Sequence, residues 1–245
     1  MRFRVVTLVM LMVHILVFGQ TVEPSLGVAK GMLQFEFESI YLSEKEEAEE
    51  VSSWSIPSLL LRYGLGNSLE FQFNMPFIRE AVYQDNSFMS SRTFLDKVQI
   101  GLSANLWKEN GLLPEAALML RALVPVYEYD TSNIGRLVAL NMSNCLSDAL
   151  SLNYNVGWVS EEGENSGYYI VNLSWNISSK IHSFVEFFGS TIRDIEMTHN
   201  INTGIGFNLG KSFCLDVSVG NGLNQDTFFA GGILTYQLNL RSNQI

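Results

Sequence analysis

The sequence predicts an all-β fold, a transmembrane antiparallel up-and-down β-barrel of about 12 strands. Three observations carry that expectation. From Met32 onward apolar residues alternate with Asn, Gln, Ser, Gly or a charge, as in Asn200-Ile201-Asn202-Thr203-Gly204-Ile205-Gly206-Phe207-Asn208. A period of two is the period of a strand, whose side chains point to opposite faces in turn. The polar partners are mostly amides, glycines and serines, which suit a wet lumen better than a close-packed core, because buried amides need partners. Finally, the connections between strand candidates alternate between long and short, as external loops and periplasmic turns do.

Taken in order, the elements begin with a targeting signal over residues 1–19. Met1-Arg2-Phe3-Arg4 is a basic start, Val5 to Phe18 an apolar stretch too short to span a membrane as a helix, and Val17-Phe18-Gly19 a cleavage pattern. Residues 20–30 carry no alternation and are expected to hang in the periplasm. Strand candidates follow at 31–41, 55–64, 68–75, 95–107, 115–124, 135–144, 148–159, 167–177, 181–189, 198–208, 213–220 and 227–240. Most are near the roughly nine to eleven residues needed to cross a bilayer at barrel tilt.

Segments 42–54, 76–94, 125–134 and 160–166 read as external loops. Leu65-Gly66-Asn67, Cys145-Leu146-Ser147, Ser178-Ser179-Lys180 and Leu209-Gly210-Lys211-Ser212 read as periplasmic turns. The acidic run from Ser43 to Glu50 then faces outward as a solvated loop tip. Trp54, Tyr63, Trp107, Tyr127, Tyr129, Trp158, Tyr168, Trp175 and Tyr236 fall near strand ends, where amphipathic rings favour the headgroup level. The barrel is expected over 31–240, with a C-terminal tail at 241–245.

Composition narrows the class. The 245 residues are 47% hydrophobic and 16% charged, well below the charged quarter or so of a soluble domain. The formal charge is −10, and −12 once Arg2 and Arg4 are cut away. With no basic cluster to neutralise phosphates, nucleic acid is excluded as a partner. Cys145 and Cys214 are the only cysteines; they lie about five strands apart around the barrel, beyond disulfide reach.

Several segments resemble a known family. Ile56-Pro57-Ser58-Leu59-Leu60-Leu61-Arg62-Tyr63-Gly64-Leu65 with Ser68-Leu69-Glu70-Phe71 is similar to a pattern of the transporter family named for the MetA pathway of phenol degradation. Leu146-Ser147-Asp148-Ala149-Leu150-Ser151-Leu152-Asn153-Tyr154-Asn155, then Phe184-Val185-Glu186-Phe187-Phe188-Gly189, then Leu215-Asp216-Val217-Ser218-Val219-Gly220 with Gly222-Leu223-Asn224, resemble later stretches of that family in the same order. The chain departs from the family at Glu23-Pro24-Ser25, where an Arg-Pro-Asp type motif is usual, and at its end, which is not aromatic. The resemblance implies an outer-membrane barrel that passes small solutes, aromatic compounds being one candidate class. The alternation adds its own permeation candidates by placing Gln34, Glu36, Glu38, Arg62, Glu70, Gln72, Asn74, Lys97, Gln99, Arg121, Glu186 and Asp216 on the lumen face. Arg62, Arg121 and Lys97 are then the groups to attract an anionic solute, with the acids shaping the rest.

Enzymatic motifs fail on geometry. His182 and Ser183 point to opposite faces of a strand, His199 falls on the apolar phase, and both histidines read as belt or surface residues rather than bases of a lipid hydrolase. Gly101-Leu102-Ser103-Ala104-Asn105 lacks the second glycine of a nucleophile elbow, and Gly204-Ile205-Gly206 lacks a phosphate-binding context. The Asn-x-Ser sites at Asn141, Asn172 and Asn176 lie within strands and read as lumen residues. No catalytic residue, cofactor or metal is expected. The expected partners are outer-membrane lipid, a small-molecule solute and the barrel-assembly machinery. A structural or adhesin-like barrel is the alternative, with the segment 76–94 either folding inward as a constriction or outward as a contact surface; a lipocalin-like soluble barrel is the alternative fold.

Overall fold

The computed structural model describes residues 22–126, 134–192 and 197–240. Among the described residues fifteen strands are present: β1 (Met32–Glu46), β2 (Glu49–Ser55), β3 (Ser58–Gly64), β4 (Leu69–Met75), β5 (Phe77–Gln84), β6 (Ser87–Leu95), β7 (Val98–Trp107), β8 (Glu115–Val124), β9 (Gly135–Cys145), β10 (Leu150–Glu161), β11 (Glu164–Asn176), β12 (Ile181–Ile192), β13 (Asn200–Asn208), β14 (Phe213–Gly222) and β15 (Asp226–Asn239). Twelve of them close a barrel in the order β1-β3-β4-β7 and then β8 through β15, with β15 pairing back to β1 over Met32–Lys45. Every pairing is antiparallel between strands. The expected strand number and topology hold.

The remaining three strands are the extended ends of barrel strands. β2 runs into β3 across Ile56-Pro57, β4 into β5 across Pro76, and β6 into β7 across Asp96-Lys97. The breaks lie side by side, since Ile56 N–H donates to the Phe77 carbonyl and Asp96 N–H to that of Pro76. Proline has no N–H to give a ladder, so Pro57 and Pro76 are suited to such a break. β1 passes the same level unbroken, pairing with β3 up to Glu38 and with β2 from Tyr41.

This corrects the reading of three external loops. Segments 42–54 and 76–94 are strand, closed by turns at Glu47-Ala48 and Asp85-Asn86, and most of 160–166 is strand closed at Glu162-Gly163. Asp85, Asn86, Glu162 and Gly163 all have positive φ, the backbone that two-residue hairpin turns demand at both positions. The segment 76–94 is therefore neither an inward constriction nor a free loop. The acidic run likewise lies along β1 and β2, with Lys45 bridged to Glu50. The other end of the barrel does carry the expected short turns at 65–68, 146–149, 177–180 and 209–212.

Burial is inverted relative to a soluble protein. Large exposed apolar side chains such as Phe37, Ile100, Leu120, Val138, Val156, Val171, Phe187, Val219 and Leu234 all occupy the outward phase of their strands, while Arg62, Glu70, Gln72, Asn141, Asn155, Asn172, Glu186 and Asn202 are buried on the inward phase. A greasy outside with a polar inside is the arrangement lipid requires, because every backbone group of a closed barrel is paired within the wall. A lipocalin-like reading would reverse the two faces. Aromatic rings gather at the short-turn end, where Phe213 stacks on Tyr236 and Trp175 stands exposed. Tyr168 departs from that pattern and packs inward against Met119, Leu123, Leu137, Ala139 and Val159. Tyr127, Tyr129, the signal and the C-terminal tail lie outside the described residues. Both cysteines are free thiols.

Candidate functional site

The lumen wall over β15, β1, β3, β4, β7 and β8 is one continuous polar network. Gln237 Nε2 donates to Gln34 Oε1 (2.6 Å), and Gln34 Nε2 in turn to Glu36 Oε1 (2.6 Å). Arg62 Nη1 reaches the same Glu36 oxygen at 3.4 Å, while its Nε donates to Glu70 Oε1 at 2.8 Å. Glu70 also accepts from Gln72 Nε2 (2.7 Å), whose Oε1 accepts from Arg121 Nε (2.8 Å), and Arg121 Nη1 continues to Gln99 Oε1 (3.2 Å). Each of these residues sits on an inward position of a neighbouring strand, and registers such as Gln34 beside Arg62 and Arg62 beside Gln72 place them shoulder to shoulder.

The sequence-derived candidates thus divide. Glu36, Arg62, Glu70 and Arg121 are brought together in this network. Glu38 lines the adjoining cavity. Lys97 is drawn away to the hairpin end of β10 and β11, where it pairs with Glu161 and, at 3.0 Å, with Glu162. Glu186 stands on the opposite wall, fully buried, accepting from Asn172 Nδ2. Asp216 is separate again, beside His182 and Cys214. All three expected anion attractors, Arg62, Arg121 and Lys97, are engaged by carboxylates.

Sequence reading missed the element that joins the two walls. Residues 22–28, expected below the barrel, lie inside it. Val28 N–H donates to Glu70 Oε2 (2.6 Å), the Ser25 carbonyl accepts from Asn105, and the Glu23 carboxylate pairs with Arg121 Nη2. Glu23 also exchanges two bonds with Asn155, giving its N–H to Oδ1 and taking Nδ2 on its carbonyl, and Val22 N–H ends on Glu186 Oε2 (3.2 Å). Burial disfavours a charged Glu23, but the guanidiniums of Arg121 and Arg62 outweigh that and hold its carboxyl below the ordinary carboxylate range. The segment therefore crosses the lumen from β3 and β4 through β8 and β10 to β12.

Its root is fixed by a glycine. Gly31 N–H donates to the Gly64 carbonyl, and a Cβ at Gly64 would stand 2.2 Å from the Ala29 carbonyl oxygen. Replacing Gly64 with alanine is expected to push residues 28 to 30 off β3 while leaving the barrel closed; protease sensitivity of the N-terminal segment in an otherwise heat-modifiable protein would report it.

Between this crossbar and the hairpin-extended end is a cavity of about 150 Å³. Ile40, Leu60, Ile78, Met119, Ile170 and Ile233 give it apolar walls; Glu23, Glu36, Glu38 and Asp96 face Arg62 and Arg121 across it. The lining carries more acid than base.

Solved structures of similar shape are barrels. The COG4313 outer membrane channel from Pseudomonas putida F1 superposes with a TM-score of 0.72 at 12% identity, covering 89% of this chain and 100% of that one. The KdgM porin in complex with disordered oligogalacturonate gives 0.54 at 13% identity, covering 83% and 98%. The NanC porin gives 0.54 at 7% identity, covering 82% and 98%. No curated protein sequence matches. A family profile described as "Putative MetA-pathway of phenol degradation" matches residues 26–238, nearly the whole described chain. With that match spanning nearly all of the barrel, the chain belongs to the MetA-pathway phenol-degradation family and carries its porin-like β-barrel fold.

Proposed function

We propose that this protein is an outer-membrane channel for small solutes, with its short-turn end toward the periplasm, and that its cargo is neutral or cationic and includes molecules with a single aromatic ring. The observation that carries the reading is the cavity held inside the barrel by the N-terminal crossbar. At about 150 Å³ it falls in the size class that takes one benzene ring. Apolar walls would hold a ring face, and Glu36 and Glu38 offer carboxylate oxygens to a hydroxyl or ammonium on it. With Arg62 and Arg121 already committed to Glu36, Glu70 and Glu23, an anionic solute meets excess acid, which lines cation-preferring pores.

Planar-bilayer recordings test this directly. Under a salt gradient the reversal potential should report preference for the cation, and Glu38→Gln should weaken that preference while leaving the channel open. Phenol-type or small aromatic amine solutes should reduce the current as they pass, and small aromatic acids should not. A silent or anion-selective barrel would overturn the reading.

A further inference from the structure

Near the short-turn end a second cluster faces the lumen, away from the crossbar and the cavity. His182 is the second residue of β12, and Cys214 and Asp216 lie near the start of β14, all three half-buried. His182 Nε2 and Asp216 Oδ1 are 2.7 Å apart, and Cys214 Sγ is 3.5 Å from Asp216 Oδ2. The three ligand-type atoms lie within 4.8 Å of one another.

β13 runs between the two strands, so their side chains meet only because of what that strand leaves out. His182 is in register with Gly206, and Gly206 with Asp216, so the three form one row across the wall. A Cβ on Gly206 would stand 2.1 Å from the imidazole and 2.2 Å from the Asp216 carboxylate. Two strand spacings of about 4.8 Å are thus bridged over a bare backbone. Cys214 joins from the same face of β14, two residues before Asp216, as the alternation dictates.

We propose that His182, Cys214 and Asp216 form a binding site for a divalent transition-metal ion of the zinc type. One nitrogen, one sulfur and one carboxylate oxygen are ligands such an ion takes at roughly 2.0 to 2.3 Å in tetrahedral geometry, which sets the donor atoms about 3.3 to 3.6 Å apart. Side-chain rotation of an ångström or so brings this trio to that spacing. Binding replaces the two hydrogen bonds on Asp216 with bonds to the ion, and the Cys214 thiol gives its proton to solvent. The fourth position opens to the lumen for water or a passing ligand. The same geometry argues against a thiol nucleophile: sulfur and imidazole both address the carboxylate, so His182 is not placed as the base of Cys214. No metal is expected from the sequence alone, in which His182 and Cys214 are far apart along the chain. Here the ligands converge through sheet register instead.

The site is independent of the cargo and is tested without transport. Mature protein, stripped with chelator and shown folded by its heat-modifiable band, is titrated with Co²⁺ and then Zn²⁺. A thiolate-to-cobalt absorption band should saturate at one ion per barrel, disappear on Zn²⁺ addition, persist in Cys145→Ser and vanish in Cys214→Ser. His182→Ala should weaken binding more than about tenfold, since even outer-shell partners command that range. In Cys145→Ser, whose metal site is intact, Zn²⁺ should also slow alkylation of Cys214. No saturable band, a band that survives Cys214→Ser, or alkylation indifferent to Zn²⁺ would overturn the proposal.

Discussion

Deleting residues 22–27 is expected to raise single-channel conductance several-fold while leaving the barrel assembled. The segment contributes no strand; what it contributes is obstruction, pinned by bonds to Asn105, Arg121, Asn155 and Glu186. Those wall groups would turn to lumen water once it is gone, at modest cost, because removing the crossbar is also what lets water in. A milder version is Glu23→Ala, which strips the ion pair with Arg121 but keeps the backbone bonds to Asn155, and should produce flickering rather than steady opening. Unchanged conductance in the deletion would mean that solutes already pass beside the segment, and that the lumen narrows elsewhere.

Arg62→Ala is expected to damage stability before it alters permeation. Arg62 is 4% exposed and Glu70 is fully buried, and the guanidinium is the group that balances both Glu70 and Glu36. Breaking a buried pair by removing one partner costs roughly 3 to 5 kcal/mol, because the other charge is left uncompensated. The exposed pair Lys108–Glu115, by comparison, is worth at most about 1 kcal/mol. Urea titration of the heat-modifiable band should show the variant unfolding at distinctly lower denaturant, with Lys108→Ala close to the parent. Parental stability in Arg62→Ala would show that lumen water already shields the acids. The family-like stretch around Arg62 would then be kept for solute contact instead of folding.

How much of this could be read from the chain follows from which interactions are local. Strand periodicity is local, so twelve barrel strands and the inward faces of Glu36, Arg62, Glu70, Arg121 and Glu186 were legible. The strand extensions were not, for a physical reason: they have polar residues on both faces, so Ser52-Ser53 or Ser90-Ser91-Arg92 carry no alternation to betray them. Asp85-Asn86 was a readable hairpin signal, since short polar residues tolerate positive φ. The crossbar was illegible because its partners are remote. Glu23 finds Arg121 at a separation of 98 residues and Val22 finds Glu186 at 164, and nothing periodic links them. His182 illustrates the same limit: read as a belt or surface residue, it faces the lumen instead, because its partner Asp216 stands on the next strand but one.

The side-by-side breaks at Pro57, Pro76 and Asp96 give the barrel mouth two unlike rims. Along β8 to β15 the wall above the membrane is a direct continuation of the wall within it. Along β2, β5 and β6 it is a panel joined through a crease to the strands beneath and through the β1–β2 ladder to its neighbour, and it ends at β6. Such a panel is anchored along β1 and unladdered along β6, so bending at the crease moves its β6 side most while the β1–β2 ladder holds the other. The rim over β7 is therefore the pliant one, a visor hinged at one side of an otherwise continuous cup.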